Sequence, residues 1–325
     1  MRIKHLKIYY LLKIFILPFL LGSTSVMAAE SDRPLQLLHV QGQVYMLSGA
    51  DVNVSIQIGE DALVFVDAPA PEFMSEVMSL VREISESPVR NVITTHLDAN
   101  HIAGNEFLTT VNGGRGRGEG RGGNSTVVSG ATGGVTIMAH ENVLNRFYLT
   151  EHDIDSLTVT NTYYTDSQDF YENGEGIYIY HMPNAHTDGD SIVYFRRSDV
   201  VSTGDIFTPG LYPDIDIDRG GSVDGFIEAL NFILDLVVPG NFAEGGTYVI
   251  PGHGRISDEI DVVEYRNMLY IVRDRVESMI EDGMNLNQVL ASRPTFDYSR
   301  EYGGPRGGPT NEEFITAIYQ SLIQE

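Results

Sequence analysis

Two features constrain this chain more than any others: the stretch His96-Leu97-Asp98-Ala99-Asn100-His101, and the separated trio His186, Asp205 and His253. Each falls where a strand-like apolar run ends. Residues 89–95 precede the first, and residues 177–181, 200–204 and 248–250 precede the other three. Imidazoles and carboxylates gathered at strand ends are the material of a hydrolytic metal site. The pattern therefore predicts strands whose ends meet around a metal.

The N-terminus stands apart from that fold. Arg2, Lys4, Lys7 and Lys13 flank or interrupt an apolar stretch that is cleanest over residues 14–21, and Val26-Met27-Ala28 or Met27-Ala28-Ala29 offers a cleavage site. Residues 1–29 read as a secretory signal peptide, which predicts a periplasmic or secreted product. The alternative, a membrane anchor, has an apolar core too short to span a bilayer comfortably, so no stable anchor is expected after cleavage. With no cysteine in the chain there is no disulfide, and the fold must stand on its core. Removing the four basic residues of the leader takes the formal charge from −24 to −28. No lysine follows Lys13, so every later basic residue is arginine. Such a surface repels nucleic acid and anionic membranes. The expected partner is a small-molecule substrate.

Residues 35–39, 44–48, 52–58 and 62–66 read as strands broken by Gly or Asp. Residues 72–85 carry helical periodicity through Met74, Val77, Met78, Leu80 and Val81. A strand over 89–95, a short helix over 102–111, a strand over 135–139 and a helix over 141–149 follow. Residues 157–197 are richer in strand. An amphipathic helix covers 223–237, and helices over 258–281, 286–290 and 311–322 end the chain. This predicts one domain over 30–257 and a C-terminal helical extension over 258–325. Residues 112–134 form a Gly-rich insertion of low complexity, unable to pack a core.

The motifs resemble those of the metallo-β-lactamase fold superfamily. Residues 95–105 resemble its signature loop, usually His-x-His-x-Asp-His. Ala185-His186-Thr187-Asp188-Gly189-Asp190 resembles its next histidine motif, Gly204-Asp205 the bridging aspartate, and Pro251-Gly252-His253-Gly254 the last histidine. Val64-Phe65-Val66-Asp67 resembles its early strand ending in aspartate. Five motifs in order imply an α/β class and a four-layer αβ/βα sandwich. The resemblance also implies that His96, Asp98 and His186 hold one divalent metal and that His101 and His253 hold a second, with Asp205 bridging. Zinc is the first expectation, with one or two ions; iron and manganese are the others.

The signature loop departs twice from that pattern. Asp98 stands where the family has histidine, and a carboxylate still ligates, suiting manganese or iron better than imidazole does. Asn100 replaces the loop aspartate with a neutral amide, which weakens the second position. The resemblance implies hydrolysis of an ester, lactone or amide, in which a bound ion lowers the pKa of its water and Asp205 or Asp98 accepts or relays a proton. Asp67, Asp188 and Asp190 are expected to orient imidazoles or fix loops. His39, His140, His152 and His181 read as structural or exposed. Phe147, Phe207 and Tyr212 are candidates to line a cleft, and Arg219 or Arg255 to hold a substrate carboxylate. Two other readings stay open: a mononuclear iron dioxygenase of the same fold, using His96, His186 and Asp205, and a degenerate binding protein that has lost catalysis. Substrate, metal identity and oligomeric state stay open too.

Overall fold

The computed structural model describes residues 34–112, 134–149, 158–240, 245–304 and 307–324. The expected signal peptide and nearly all of the Gly-rich insertion lie outside them. One sheet contains β1 (Gln36–Gln41), β2 (Val44–Ser48), β3 (Val54–Ile58), β4 (Leu63–Val66), β5 (Val89–Ile93), β6 (Thr136–His140) and β7 (Asn161–Tyr163), in sequence order. β1 to β4 pair antiparallel, and β4 to β7 pair parallel, with Phe65 opposite Val92 and Val92 opposite Ile137. The second sheet contains β8 (Ser167–Glu172), β9 (Glu175–Met182), β10 (Asp190–Phe195), β11 (Val200–Ser202) and β12 (Tyr248–Ile250), ordered β12-β11-β10-β9-β8. Only β11 and β12 are parallel there, with Val201 opposite Val249.

Side-chain alternation along each strand builds the layers. Val64 and Val66 of β4 face Val193 and Phe195 of β10 in the core between the sheets. Leu63 and Phe65 point the other way, onto Met74, Val77 and Val81 of α1 (Pro71–Arg82). Ile192 of β10 likewise turns outward, into a core shared with α5 (Val223–Leu236), α6 (Glu259–Glu281), α7 (Leu286–Ser292) and α8 (Asn311–Gln324). The result is an α/β protein with two sheets face to face and helices outside each. β3 and β4 are buried throughout because both faces are covered. The C-terminal helices share the outer core of the second sheet, where Tyr265, Leu269, Phe314 and Ile318 are almost fully buried. Burying side chains of this size stabilises by about 1.5–3 kcal/mol each. α6 starts sharply because Asp258 and Asp261 form a reciprocal capping box.

The helix expected over 102–111 is two, α2 (Ala99–Ile102) and α3 (Asn105–Thr110). The chain breaks at Gly104, which passes so close to the 68–69 segment that a Cβ there would lie 2.4 Å from the Pro69 carbonyl oxygen. α4 (Glu141–Leu149) follows β6 directly. No helix among the described residues is long and apolar enough to cross a membrane.

Candidate metal centre

The expected ligand residues converge because their strands end on one side of the sandwich. β5 runs out through Thr94 and Thr95 to His96, and α2 then presents His101 one turn past Asp98. His186 sits in the connection between β9 and β10. Asp205 lies in a 3-10 turn (Gly204–Ile206) after β11, and His253 follows β12. Two tight approaches fix the last two. Gly204 takes φ +53°, and Gly252 donates its N–H to the Gly204 carbonyl at 2.8 Å. A Cβ on Gly252 would sit 2.0 Å from Asp205 Oδ1.

The six side chains form two groups that share Asp205: His96, Asp98, His186 and Asp205, and His101, Asp205 and His253. In the first, Asp98 Oδ2 lies 3.3 Å from His186 Nε2 and 3.6 Å from His96 Nε2. Asp205 Oδ2 lies 3.8 Å from His96 Nε2 and 3.4 Å from His253 Nε2, while Oδ1 lies 3.3 Å from His101 Nε2. Two donors, each about 2.0–2.1 Å from a zinc ion at a tetrahedral angle, stand about 3.3 Å apart. The observed spacings fall at or slightly above that separation. Asn100 sits between Asp98 and His101 in α2 and offers neither group an ionisable donor. His253 is the outermost ligand candidate, with 29% of its side chain exposed, while His96, His101 and His186 are buried.

Buried imidazoles need their second nitrogen fixed. His101 donates from Nδ1 to Asp67 Oδ2 at 2.8 Å. His186 donates from Nδ1 to the Asp214 carbonyl at 2.7 Å, an acceptor that admits only that tautomer. His96 Nδ1 lies 2.9 Å from Thr95 Oγ1, whose hydroxyl donates to Asp67, so Nδ1 carries the hydrogen there too. All three Nε2 atoms are thereby turned toward the cluster. His96 Nε2, His101 Nε2 and Asp205 Oδ1 are buried and have no hydrogen-bond partner among the described residues; the 3.3 Å approach of the last two does not meet hydrogen-bond geometry. Leaving buried polar atoms unpaired costs about 1–3 kcal/mol each. A cation at these positions removes that cost, so the residues fit a divalent metal.

The electrostatics agree. Burial alone would raise the Asp205 carboxyl, but the His101 and His253 imidazoles hold it well below the usual range. Burial likewise opposes Asp98, and His96 and His186 hold that carboxyl far down. Burial disfavours charge on His186, yet Asp98 lifts its pKa to about 10. His101 is raised well above normal by Asp205 and Asp67 against the same penalty. The site thus seeks positive charge, which protons or a metal ion can supply.

Asp67 accepts from Thr95 N at 2.8 Å and from the Thr95 hydroxyl, so one carboxylate holds both the strand end and His101. It does so at φ +67°, a backbone conformation that Asp tolerates better than most residues. Asp190 closes the His186 turn by accepting from Thr187 N and Oγ1, both at 2.8 Å. Asp188 is clamped by Arg146. Asp67 orients an imidazole, and Asp188 and Asp190 fix loops.

Other expectations need correction. Phe207 and Tyr212 line no cleft: both are buried in the helical core, where Tyr212 stacks on Phe314 at 4.5 Å. Arg219 and Arg255 are not poised to hold a substrate carboxylate. Arg219 is paired with Asp98 and Asp216, and Arg255 with Asp261. Asp98 caps α2 by position but makes no side-chain cap bond, because its carboxylate is turned into the cluster. His140 and His181, by contrast, are structural as expected: their rings stack on each other at 3.5 Å and 12°. Asn53 was missed altogether. Its amide donates to the carbonyls of Pro251 and Gly254, both at 3.0 Å, and so holds the His253 loop. Nothing in the local pattern around residue 53 signals that role, since its partners lie about two hundred residues away.

No protein-family model and no curated protein sequence matches this chain. Solved structures do. The stereoselective inverting sec-alkylsulfatase Pisa1 from Pseudomonas sp. superposes with TM-score 0.65 at 13% identity, over 88% of this chain and 50% of the sulfatase. This chain thus spans about half the length of that enzyme. A metallo-β-lactamase from Pontibacter korlensis gives TM-score 0.54 at 14% identity, over 73% of this chain and 99% of the other. One from Hirschia baltica gives 0.52 at 16%, over 73% and 98%. Likeness at these identities speaks to the fold alone.

Proposed function

We propose that this chain, which has the metallo-β-lactamase fold, is an exported metal-dependent hydrolase acting on an ester, lactone or amide of a small molecule. The observation that carries the proposal is the convergence of His96 Nε2, His101 Nε2 and Asp205 Oδ1, buried and unpartnered, inside two groups with metal-ligand spacing. His96, Asp98, His186 and Asp205 would hold one divalent ion, zinc by preference, and His101, Asp205 and His253 a second. Such an ion supplies Lewis acidity and lowers the pKa of water.

The chain's own groups do the rest. Asp98 and Asp205, held far below the usual carboxylate range, remain anions at neutral pH. As weak bases they are better suited to orienting a nucleophile by accepting its hydrogen bond than to storing its proton. His253 stands at the exposed side of the cluster. Arg219 is paired with Asp98 and Asp216 and Arg255 with Asp261, which disfavours either as a ready anchor for a substrate carboxylate, so β-lactam turnover is not proposed as the main activity. Export rests on the N-terminal sequence pattern.

The test is a substrate panel of aryl esters, γ-lactones, anilides, a β-lactam and secondary alkyl sulfates, the last suggested by the sulfatase likeness. Turnover of at least one that is abolished by a chelator, restored by Zn²⁺ and lost in His186→Ala is the expected result. Protein that binds metal but turns over nothing would leave the binding-protein reading. One observation favours the iron dioxygenase as the second reading: the first group brings His96, His186 and Asp205 together, the two imidazoles and one carboxylate of a mononuclear non-haem iron site. Iron content with oxygen uptake would identify it.

A further inference from the structure

The two cation positions are supported by different parts of the chain. His101 is held by Asp67, at the end of β4. The first position is held from the opposite side, by the loop over residues 213–221. That loop bonds the His186 turn at three points, and Ser222 just beyond it adds to them. The Asp214 carbonyl accepts from His186 Nδ1, Asp216 N donates to the His186 carbonyl at 3.0 Å, the Arg219 carbonyl accepts from Asp188 N at 3.0 Å, and Ser222 N, just beyond it, donates to the Asn184 carbonyl at 2.9 Å. Gly221 packs so tightly that a Cβ there would sit 2.3 Å from the His186 carbonyl oxygen.

From this braced loop Arg219 reaches Asp98, far away in sequence. Its guanidinium NH1 bonds Asp98 Oδ1, and its Nε bonds Asp216 Oδ2 at 2.6 Å. Its backbone N–H donates to Asp216 Oδ1 at 2.8 Å, so the arginine is fixed at both ends. The two Asp98 oxygens are therefore divided: Oδ1 faces the guanidinium, and Oδ2 faces His96 and His186. A short carboxylate at position 98 has no Nδ1–H of the kind that orients a ligating imidazole. It needs an external donor to choose which oxygen it presents.

We infer that Arg219 is a positioning residue that presents Asp98 Oδ2, and only that oxygen, to the cation held with His96 and His186. The inference rests on the proposed metal-dependent reading of the site. A guanidinium beside a ligand has two opposing effects. It repels the cation and draws charge from the ligand, but it also fixes the oxygen that binds. With both ends of Arg219 locked, fixation dominates, and loss of the arginine weakens binding. It should affect the His101–His253 position less, because Asp67 rather than this loop orients His101, while Asp205 is common to both groups.

The experiment is Zn²⁺ binding to the full mature protein by calorimetry, with Co²⁺ absorption as a second readout, for wild type, Arg219→Ala, Arg219→Lys and Asp98→His, and for Asp98→His combined with Arg219→Ala. Arg219→Ala should lose about 10–100-fold in affinity at one position. Lysine should recover part of it, since it is a point donor without the planar fork. In the Asp98→His background, where an imidazole replaces the carboxylate, removal of Arg219 should cost less than about threefold, the range of independent sites. An equal loss in both backgrounds would mean that the arginine merely holds the loop together, and would overturn the inference. So would an unchanged or tighter affinity in Arg219→Ala while wild type binds Zn²⁺ normally. Wild type that binds neither metal would overturn this inference together with the functional reading beneath it.

Discussion

Asp67→Asn isolates how the buried carboxylate beneath the site works. In the wild type Oδ1 accepts from Thr95 N, and Oδ2 accepts from His101 Nδ1 and from the Thr95 hydroxyl, all at 2.8 Å. Asparagine keeps the shape and tolerates the φ of +67°, but it has one acceptor oxygen and one donor nitrogen. If its oxygen faces Thr95 N, its amide N–H₂ faces His101 Nδ1. The imidazole must then carry its hydrogen on Nε2 and cannot ligate there. If its oxygen faces His101, two N–H donors meet at Thr95. The first arrangement loses the ligating tautomer and the second loses a buried bond, which costs about 1–3 kcal/mol. For a chain of this size that lowers Tm by roughly 2–10 °C. Zn²⁺ affinity at the His101–His253 position should fall about 10–100-fold. Thermal scanning of the chelated protein and Zn²⁺ calorimetry read the two effects separately. Unchanged Tm and unchanged Zn²⁺ binding together would refute the argument from the tautomer.

Gly252→Ala should push Asp205 aside, since the new Cβ would lie 2.0 Å from its Oδ1; elemental analysis should show at least one metal position weakened by about 10–100-fold. Phe314→Ala should cost about 3–5 kcal/mol in urea unfolding, because the ring is fully buried and stacked on Tyr212 where α8 docks. His140 supplies a pH dependence. Burial and the stacked His181 depress its pKa from 6.5 to about 4. The unfolded chain therefore binds its proton at higher pH than the folded chain does. The stability tied to neutral His140 is complete above pH 6.5 and is lost as pH falls toward 4. In the metal-free protein, Tm should fall across that window, and His140→Phe should flatten the fall; an identical slope in the variant would contradict the assignment.

Much of the fold was legible because the signals were local. Strands β2, β5 and β6 announce themselves as short apolar runs, α1 and α5 as helical stripes, and the ligand motifs as polar residues placed just after such runs. The two-sheet sandwich was legible through the resemblance of five ordered motifs, not through periodicity. What escaped the sequence depends on contacts between distant segments. Arg219 reads in the sequence as a candidate substrate anchor because its partner Asp98 lies 121 residues before it. Asn53 carries no local signal because the carbonyls it binds belong to the His253 loop. Phe207 and Tyr212 neighbour the site in sequence, yet the C-terminal helices bury them. The break at Gly104 follows from a close approach to Pro69 that no local pattern encodes.

The central claim is that His96, Asp98, His101, His186, Asp205 and His253 form a cation-binding centre. Elemental analysis of the mature protein, purified without chelators or a histidine tag, tests it most directly. One or two equivalents of a divalent metal are expected, with the first position lost in His96→Ala and in His186→Ala while the variants stay folded. Protein that takes up no zinc, manganese or ferrous iron, even after incubation with each, would contradict it.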